Sequence, residues 1–202
     1  INNYNYYLQQ TIFTTSLVSY NTNTLTTLFK FNTSNGNVVN NQLILNKNVI
    51  NQPSVASGSL LSLNSNIYTI NTTPYANALY PVNITYPDTN NSTSTISISN
   101  NGPGVIISAY TYNLLYIWST IIQHTIFDET IIAYISKDTY DKNIVIVGNY
   151  KSTITFYNSD NTLFNILQNQ TNNTYVYIAK YNLNGQCIWI SYINSPYTTI
   201  TD

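Results

Sequence analysis

His124, Asp128 and Glu129 place one imidazole and two carboxylates within six consecutive residues, the group in this chain best suited by type to move protons. A general base oriented by a carboxylate needs contact geometry that spacing alone does not supply. The chain has a single His and no G-x-S-x-G turn to present a nucleophilic serine, so a hydrolytic triad is not expected here. The expectation is a polar loop between strands, with no catalytic residue.

A second group, Asp138-x-x-Asp141-x-Asn143, spaces oxygen ligands somewhat as a calcium loop does. Hard cations take six to eight oxygens, and the Gly and closing Glu of an EF-hand are missing, so an Asp/Asn turn before a strand is the better expectation. No metal site and no cofactor is predicted. Cys187, the one cysteine, can form no intrachain disulfide and sits inside an apolar run, where it reads as a small buried hydrophobe rather than a reactive thiol. Twenty Tyr and two Trp raise the chance of ring-mediated glycan or partner recognition. Six of those rings, Tyr110, Tyr112, Tyr116, Tyr175, Tyr177 and Tyr181, fall in or beside strand signals, and most of them are expected to pack between sheets rather than to bind. N-x-S/T sequons at Asn32, Asn71, Asn83 and Asn172 are weak evidence in a chain this rich in Asn, Ser and Thr.

The element that organises these residues is Tyr175–Ile193, two apolar and β-branched runs around Asn182-Leu183-Asn184-Gly185. It reads as a β-hairpin whose Asn184-Gly185 pair tolerates positive φ. Looser copies precede it. Thr27–Phe31, NTSNG and Asn37–Val39 form one, with Lys30 matching Lys180, Phe31 matching Tyr181 and Val39 standing in for Trp189. Gly104–Ile122 forms another, with Ala109-Tyr110 matching Lys180-Tyr181 and Trp118 matching Trp189, 71 positions apart. A second unit, Asn66–Asn71, returns as Asn143–Gly148 at an offset of 77. Tyr6–Leu8 and Leu17–Tyr20 read as edge strands. Val105–Ala109 and Ile144–Val147 are apolar on consecutive residues, as in sheets covered on both faces. The run from Tyr86 to Pro103 reads as an inserted connection in which Ile96 and Ile98 could add a short edge strand. Phe127–Ile135 is the one candidate for a helical turn and suits a strand better.

Composition sets limits on the partners. Hydrophobic residues make up 43% and aromatics 14%, enough for a core, while charged residues make up only 6%, far below the roughly 25% of ordinary soluble domains. The Asn, Ile, Tyr and Lys bias, without Arg, is that of an AT-rich genome. A net charge of −1 gives no basic footprint for nucleic acid. No apolar run approaches the ~20 residues of a spanning helix, so no membrane insertion is expected. The chain starts at Ile1 without Met, and a segment of a longer or processed polypeptide is expected.

A period of roughly 70 to 80 residues, about four strands per copy, is the content of a propeller blade with long insertions. Tyr177-Ile178-Ala179-Lys180-Tyr181-Asn182-Leu183-Asn184-Gly185 with Ile188-Trp189 resembles the F-V-A-K-aromatic-Asp/Asn-x-x-G-x-x-x-W repeat of the SBBP-type β-propeller proteins. Lys142–Tyr150 and Thr155–Asp160 are similar to the G-N-I/V-Y-V-x-G and T-F-Y-N-x-D segments, especially those of mimivirus-like giant DNA viruses. The resemblance is good over Asp138–Ile193, fair over Gly104–Ile122 and weak before Asn101; Asn71 departs from it where Gly148 fits. It implies a propeller-type β fold and carries over no catalytic residue.

The resulting expectation is a single all-β repeat domain over 1–202, propeller-like, of about three four-stranded antiparallel blades. Approximate repeats are 1–80, 81–157 with the insertion 86–103, and a partial 158–202, together a segment of a larger propeller or assembly. The expected function is non-enzymatic, structural or recognition, in a giant-virus particle or an extracellular surface layer. Partners would be other copies of the chain or neighbouring structural proteins, and glycans if the chain is instead a carbohydrate-binding propeller module. A propeller-type hydrolase ranks third.

Overall fold

β-branched and aromatic residues fit a pleated, half-buried surface, and here they build strands throughout. The computed structural model describes residues 4–14, 21–32, 35, 37–50, 58–76, 82–87, 93–98, 102–125, 131–169, 171 and 173–193. Among the described residues there is no helix. In chain order the strands are β1 (Tyr4–Thr14), β2 (Asn21–Asn32), β3 (Val38–Ile50), β4 (Gly58–Leu63), β5 (Asn66–Ala76), β6 (Val82–Pro87), β7 (Thr93–Ile98) and β8 (Gly102–Thr111). They continue as β9 (Tyr116–His124), β10 (Ala133–Lys137), β11 (Ile144–Tyr150), β12 (Ile154–Tyr157), β13 (Leu163–Leu167), β14 (Tyr175–Tyr181) and β15 (Cys187–Ile193).

These strands form three open antiparallel sheets, ordered β1-β2-β3-β6-β7, β13-β12-β9-β8-β5-β4 and β10-β11-β14-β15. Five and six strands, rather than a uniform four, arise because two hairpins leave their neighbours in sequence. β6–β7 lies between β5 and β8 in the chain yet pairs with β3, and β12–β13 lies between β11 and β14 yet pairs with β9. β7 holds Ile96 and Ile98 and is an edge strand, as their alternation with Ser suggests. Of the other local expectations, Tyr6–Leu8 falls in β1, an edge strand. Ala133–Ile135 is strand rather than helix. Leu17–Tyr20 lies outside the described residues.

The six- and four-stranded sheets share one apolar core. Tyr68, Ile70, Ile107, Trp118, Ile122 and Phe156 from the first meet Ile144, Ile146, Tyr150, Tyr177 and Tyr181 from the second. Tyr177 sits at its centre, with Phe156 edge-on at 5.4 Å and Tyr150 at 6.3 Å between ring centroids. Such pairs add about 0.5–1.5 kcal/mol beyond the area they bury. Val105–Ala109 of β8 is buried on consecutive residues, as a strand covered on both faces must be. β11 differs: Ile144 and Ile146 are buried while Val145 and Val147 are half-buried, because one face of the four-stranded sheet is less well covered.

The hairpins turn by one recurring device. In Asn182–Gln186, the Asn182 N–H donates to Gln186 O at 2.9 Å, the Gly185 N–H donates to Asn182 O at 3.1 Å, and Gly185 has φ +78°. This is a three-residue loop closed by a left-handed residue and a bulge. Asn184, expected to share the positive φ, does not; its N–H instead donates to the Asn182 side chain. The loop Thr111–Leu115 repeats the two backbone bonds, each 2.9 Å, with Leu114 at φ 64°. Asn158–Thr162 repeats them again with Asn161 at φ 64°. β4–β5 turns differently, on Asn64 and Ser65, both at positive φ as a two-residue type I′ turn requires.

Register follows the turns. Ala109 faces Trp118 and Tyr110 faces Tyr116 across a bulge; Lys180 faces Trp189 and Tyr181 faces Cys187 across a bulge at the same place. In the first hairpin Lys30 faces Asn40 and Phe31 faces Val38. The residue at the Trp189 position is therefore Asn40 and not Val39, because the β2–β3 loop is one residue longer.

Candidate functional site

His124 ends β9, opposite Ile154, and its side chain is wholly buried. Asp128 and Glu129 lie outside the described residues. The sequence trio is thus represented by one imidazole without solvent access, at the end of a strand that the core has closed over.

Asp138 and Asp141 do come together, around the Lys180 ammonium, while Asn143 joins them only through its backbone carbonyl. Lys180 Nζ donates to Asp138 Oδ2 at 2.7 Å and to Asp141 Oδ2 at 2.5 Å. The loop itself is held by Asp138 N–H to Asn143 O at 2.8 Å and by Tyr140 N–H to Asp138 Oδ1 at 2.8 Å, with Lys142 at φ 57°. The Lys180 ammonium and the Tyr140 amide hold the Asp138 carboxyl below its usual range, and the Asp138 and Asp141 carboxylates hold the Lys180 ammonium above its own. One ammonium is thus shared between two carboxylates, and the Asp/Asn turn expected before a strand is the arrangement observed. Among the described residues no group of three His, Cys, Asp or Glu side chains is placed to hold a metal ion. The partner, Lys180, carried no signal in the spacing, since it lies 42 residues from Asp138 in sequence.

Cys187 is a free, buried thiol at the start of β15. Burial pushes it up to about 12, against weaker hydrogen bonding from Tyr181. A thiol so far from its thiolate is a poor nucleophile and a poor soft-metal ligand. Burial likewise raises Tyr181 well above the usual phenol value and Tyr150 to about 12. Tyr110, Tyr175, Tyr177 and Tyr181 are buried, which fits their expected packing role, while Tyr112 and Tyr116 are half-buried. Of the sequon residues, Asn71 is buried within β5 and could not serve as a glycan acceptor. Asn172 lies outside the described residues, and Asn32 and Asn83 have backbone positions in β2 and β6.

The most highly organised polar region is where two hairpin turns meet. Ser159 N–H donates to Gly185 O at 3.0 Å and Ser159 Oγ to Asn184 O at 2.7 Å. Asn158 Oδ1 accepts the Cys187 N–H at 2.8 Å. Trp118 Nε1 donates to Leu183 O at 2.9 Å, and a Cβ on Gly185 would stand 2.8 Å from the indole. The Trp of one sheet is thereby seated on the turn of the next. Asn-Ser-Asp-Asn at 158–161 carries a turn composition that could have marked this loop, but nothing local could have shown that it meets the Asn182–Gln186 turn. Beyond this junction, apolar side chains are exposed along two edge strands, Leu163 and Ile166 on β13 and Ile188, Trp189, Tyr192 and Ile193 on β15. An open edge with apolar surface can add a strand or seat another sheet. No helix among the described residues is long and apolar enough to cross a membrane.

No protein-family model, no curated protein and no solved structure matches the chain.

Proposed function

We propose that this chain is a non-enzymatic β-repeat protein whose propeller-like units stack through their sheet faces, serving a structural or recognition role in a particle or external surface layer. The observation that carries the reading is the common register of the hairpins at 109–118 and 180–189, each interrupted at the same step and each turned on a left-handed residue at the same position, Leu114 and Gly185. The strands flanking them agree: β4-β5-β8-β9 and β10-β11-β14-β15 have the same pairing order. On this reading the units run from Gly58 to His124 and from Ala133 to Ile193, rather than dividing near 80 and 157. Each unit sends one hairpin back to the sheet before it. Three such sheets form an open stack, since ring closure takes roughly four to eight blades.

Placement on a giant-virus particle rests on the resemblance of Tyr177–Trp189 and Lys142–Tyr150 to the SBBP-type repeat. A surface with few charges also suits an external layer whose cohesion does not depend on salt-sensitive ion pairs. The test is immunogold labelling of intact purified virus particles with antibody to this chain. Labelling of the exterior is the expected result, and particles that lack the chain altogether would overturn the placement.

A further inference from the structure

The repeat offsets carry one face of the six-stranded sheet onto one face of the four-stranded sheet. At 71 positions Ile107, Trp118 and Ile122 map to Ile178, Trp189 and Ile193, and at 77 positions Tyr68 and Ile70 map to Val145 and Val147. The first set belongs to the shared core, because the four-stranded sheet lies across it. The second set points the other way. Its neighbours along the strands, Ile144, Ile146, Tyr177 and Ala179, are the ones that enter the core, and side chains alternate across a sheet. On this outer face Val145, Val147 and Ile178 are half-buried. Tyr134, Trp189 and Ile193 are 38%, 41% and 47% exposed, against 8% for Trp118 and 0% for Ile122. The face that the fold closes within the chain at its first occurrence is therefore open at its second.

We infer that two copies of this chain pack these outer faces against each other about a two-fold axis parallel to the strands. The inference rests on the stacked-sheet reading above and names the partner of its open face. Register makes the face its own complement. One row across the sheet runs Ser136, Val145, Lys180, Trp189. The next runs Tyr134, Val147, Ile178, Ser191. A two-fold along the strands reverses each row and lays it on itself, so Trp189 stands over the partner's Ser136 and Tyr134 over the partner's Ser191. Each exposed ring meets a small exposed residue, the alternation of large and small that lets sheets ~10 Å apart interdigitate. Lys180 is the one charged residue in these rows and is held by Asp138 and Asp141, so the contact opposes no unpaired like charges. Two such faces bury on the order of 1,000 Å², the least that a specific interface takes. The contact is isologous and closes at a dimer.

The experiment is sedimentation velocity of the full chain from low micromolar to about 100 µM, a range that spans the affinities of modest protein interfaces. Wild type is expected to double in mass with concentration and to stop there. Trp189→Lys and Tyr134→Lys each place a charge at an exposed position of the face, so each stays monomeric with an unchanged circular-dichroism spectrum. Tyr134 is the discriminating site, because it lies on β10, at the opposite edge of the sheet from β15. A dimer that survives Tyr134→Lys is held by the β15 edge and overturns the face-to-face packing. A wild type that is monomeric throughout, or that grows past the dimer, overturns it as well. The stacked-sheet reading fails separately, on indole N–H exchange in the Tyr134→Lys chain. Slow exchange at Trp118 beside fast exchange at Trp189 is expected, and fast exchange at both would sink that reading whatever the oligomeric state.

Discussion

The Trp118 indole and Gly185 are in van der Waals contact across two sheets, with the Trp118 Nε1 bonded to Leu183 O at 2.9 Å, so that a Cβ at Gly185 would come within 2.8 Å of the ring. Two separate demands therefore meet at one residue: a φ of +78° and the absence of a side chain.

Gly185→Ala is expected to cost at least about 2 kcal/mol, combining a left-handed penalty of ~1–2 with an overpacking penalty of ~1–3. Gly185→Asn separates them, because Asn tolerates the left-handed region but still fills the space. Urea unfolding should find both variants destabilised, with Asn recovering only part. Full recovery by Asn would show that the indole contact contributes nothing.

Gly148 and Tyr177 are cross-strand partners, and a Cβ on Gly148 would lie 2.3 Å from the Tyr177 hydroxyl oxygen. The corresponding pair in the six-stranded sheet is Asn71 and Ile106, a larger residue opposite a smaller one. Gly148→Ala should destabilise the chain by about 1–3 kcal/mol, since the buried Tyr177 ring has little room to move. Adding Tyr177→Ile should recover part of that loss. Denaturant midpoints of the two single variants and the double variant form a cycle, and strictly additive effects would refute the compensation.

Leu114 holds the same turn position as Gly185 but buries its side chain. Leu114→Gly relieves a left-handed strain of about 1–2 kcal/mol, yet it deletes a buried side chain whose truncation costs about 2–5. The second effect is the larger, so thermal unfolding should show a lower midpoint. A raised midpoint would mean that the turn, not the burial, sets stability at this site.

Asp138 and Lys180 give stability a pH window. Asp138 is lowered from 3.8, first by the Lys180 hydrogen bond, so its contribution is complete above 3.8 and fades as pH falls through the lower folded value. Lys180 is raised from 10.5, first by Asp138 and then Asp141, so its contribution is complete below 10.5 and fades as pH rises through the higher folded value. Asp138→Asn should lower the urea midpoint at neutral pH and flatten the acid limb. An acid limb identical to wild type would remove Asp138 from the account.

The Cys187 thiol, up at about 12 against an ordinary 9.0, should carry roughly a thousandfold less thiolate than in the unfolded chain near pH 8. Alkylation by iodoacetamide should accordingly be slow in the native state and rapid in denaturant. Comparable rates in both states would place the thiol at the surface.

Local pattern determined the strands and the best of the turns. Tyr175–Ile193 is legible as a hairpin because β-branched and aromatic runs flank a residue that alone tolerates positive φ, and both signals act within a few residues. The offsets that align Trp118 with Trp189 and Asn71 with Gly148 are legible for the same reason, and the observed register follows them. Tertiary structure decided the remainder. That β12–β13 pairs with β9, that Lys180 answers Asp138 and Asp141, and that His124 is shut inside the core depend on contacts between residues distant in sequence. Position Asn40, read as Val39 from spacing, shows how one extra loop residue moves a register without changing the pattern that announces it. The exposure of Trp189 beside the burial of Trp118 is the clearest case, since the same residue in the same strand position differs only in whether another sheet lies across it.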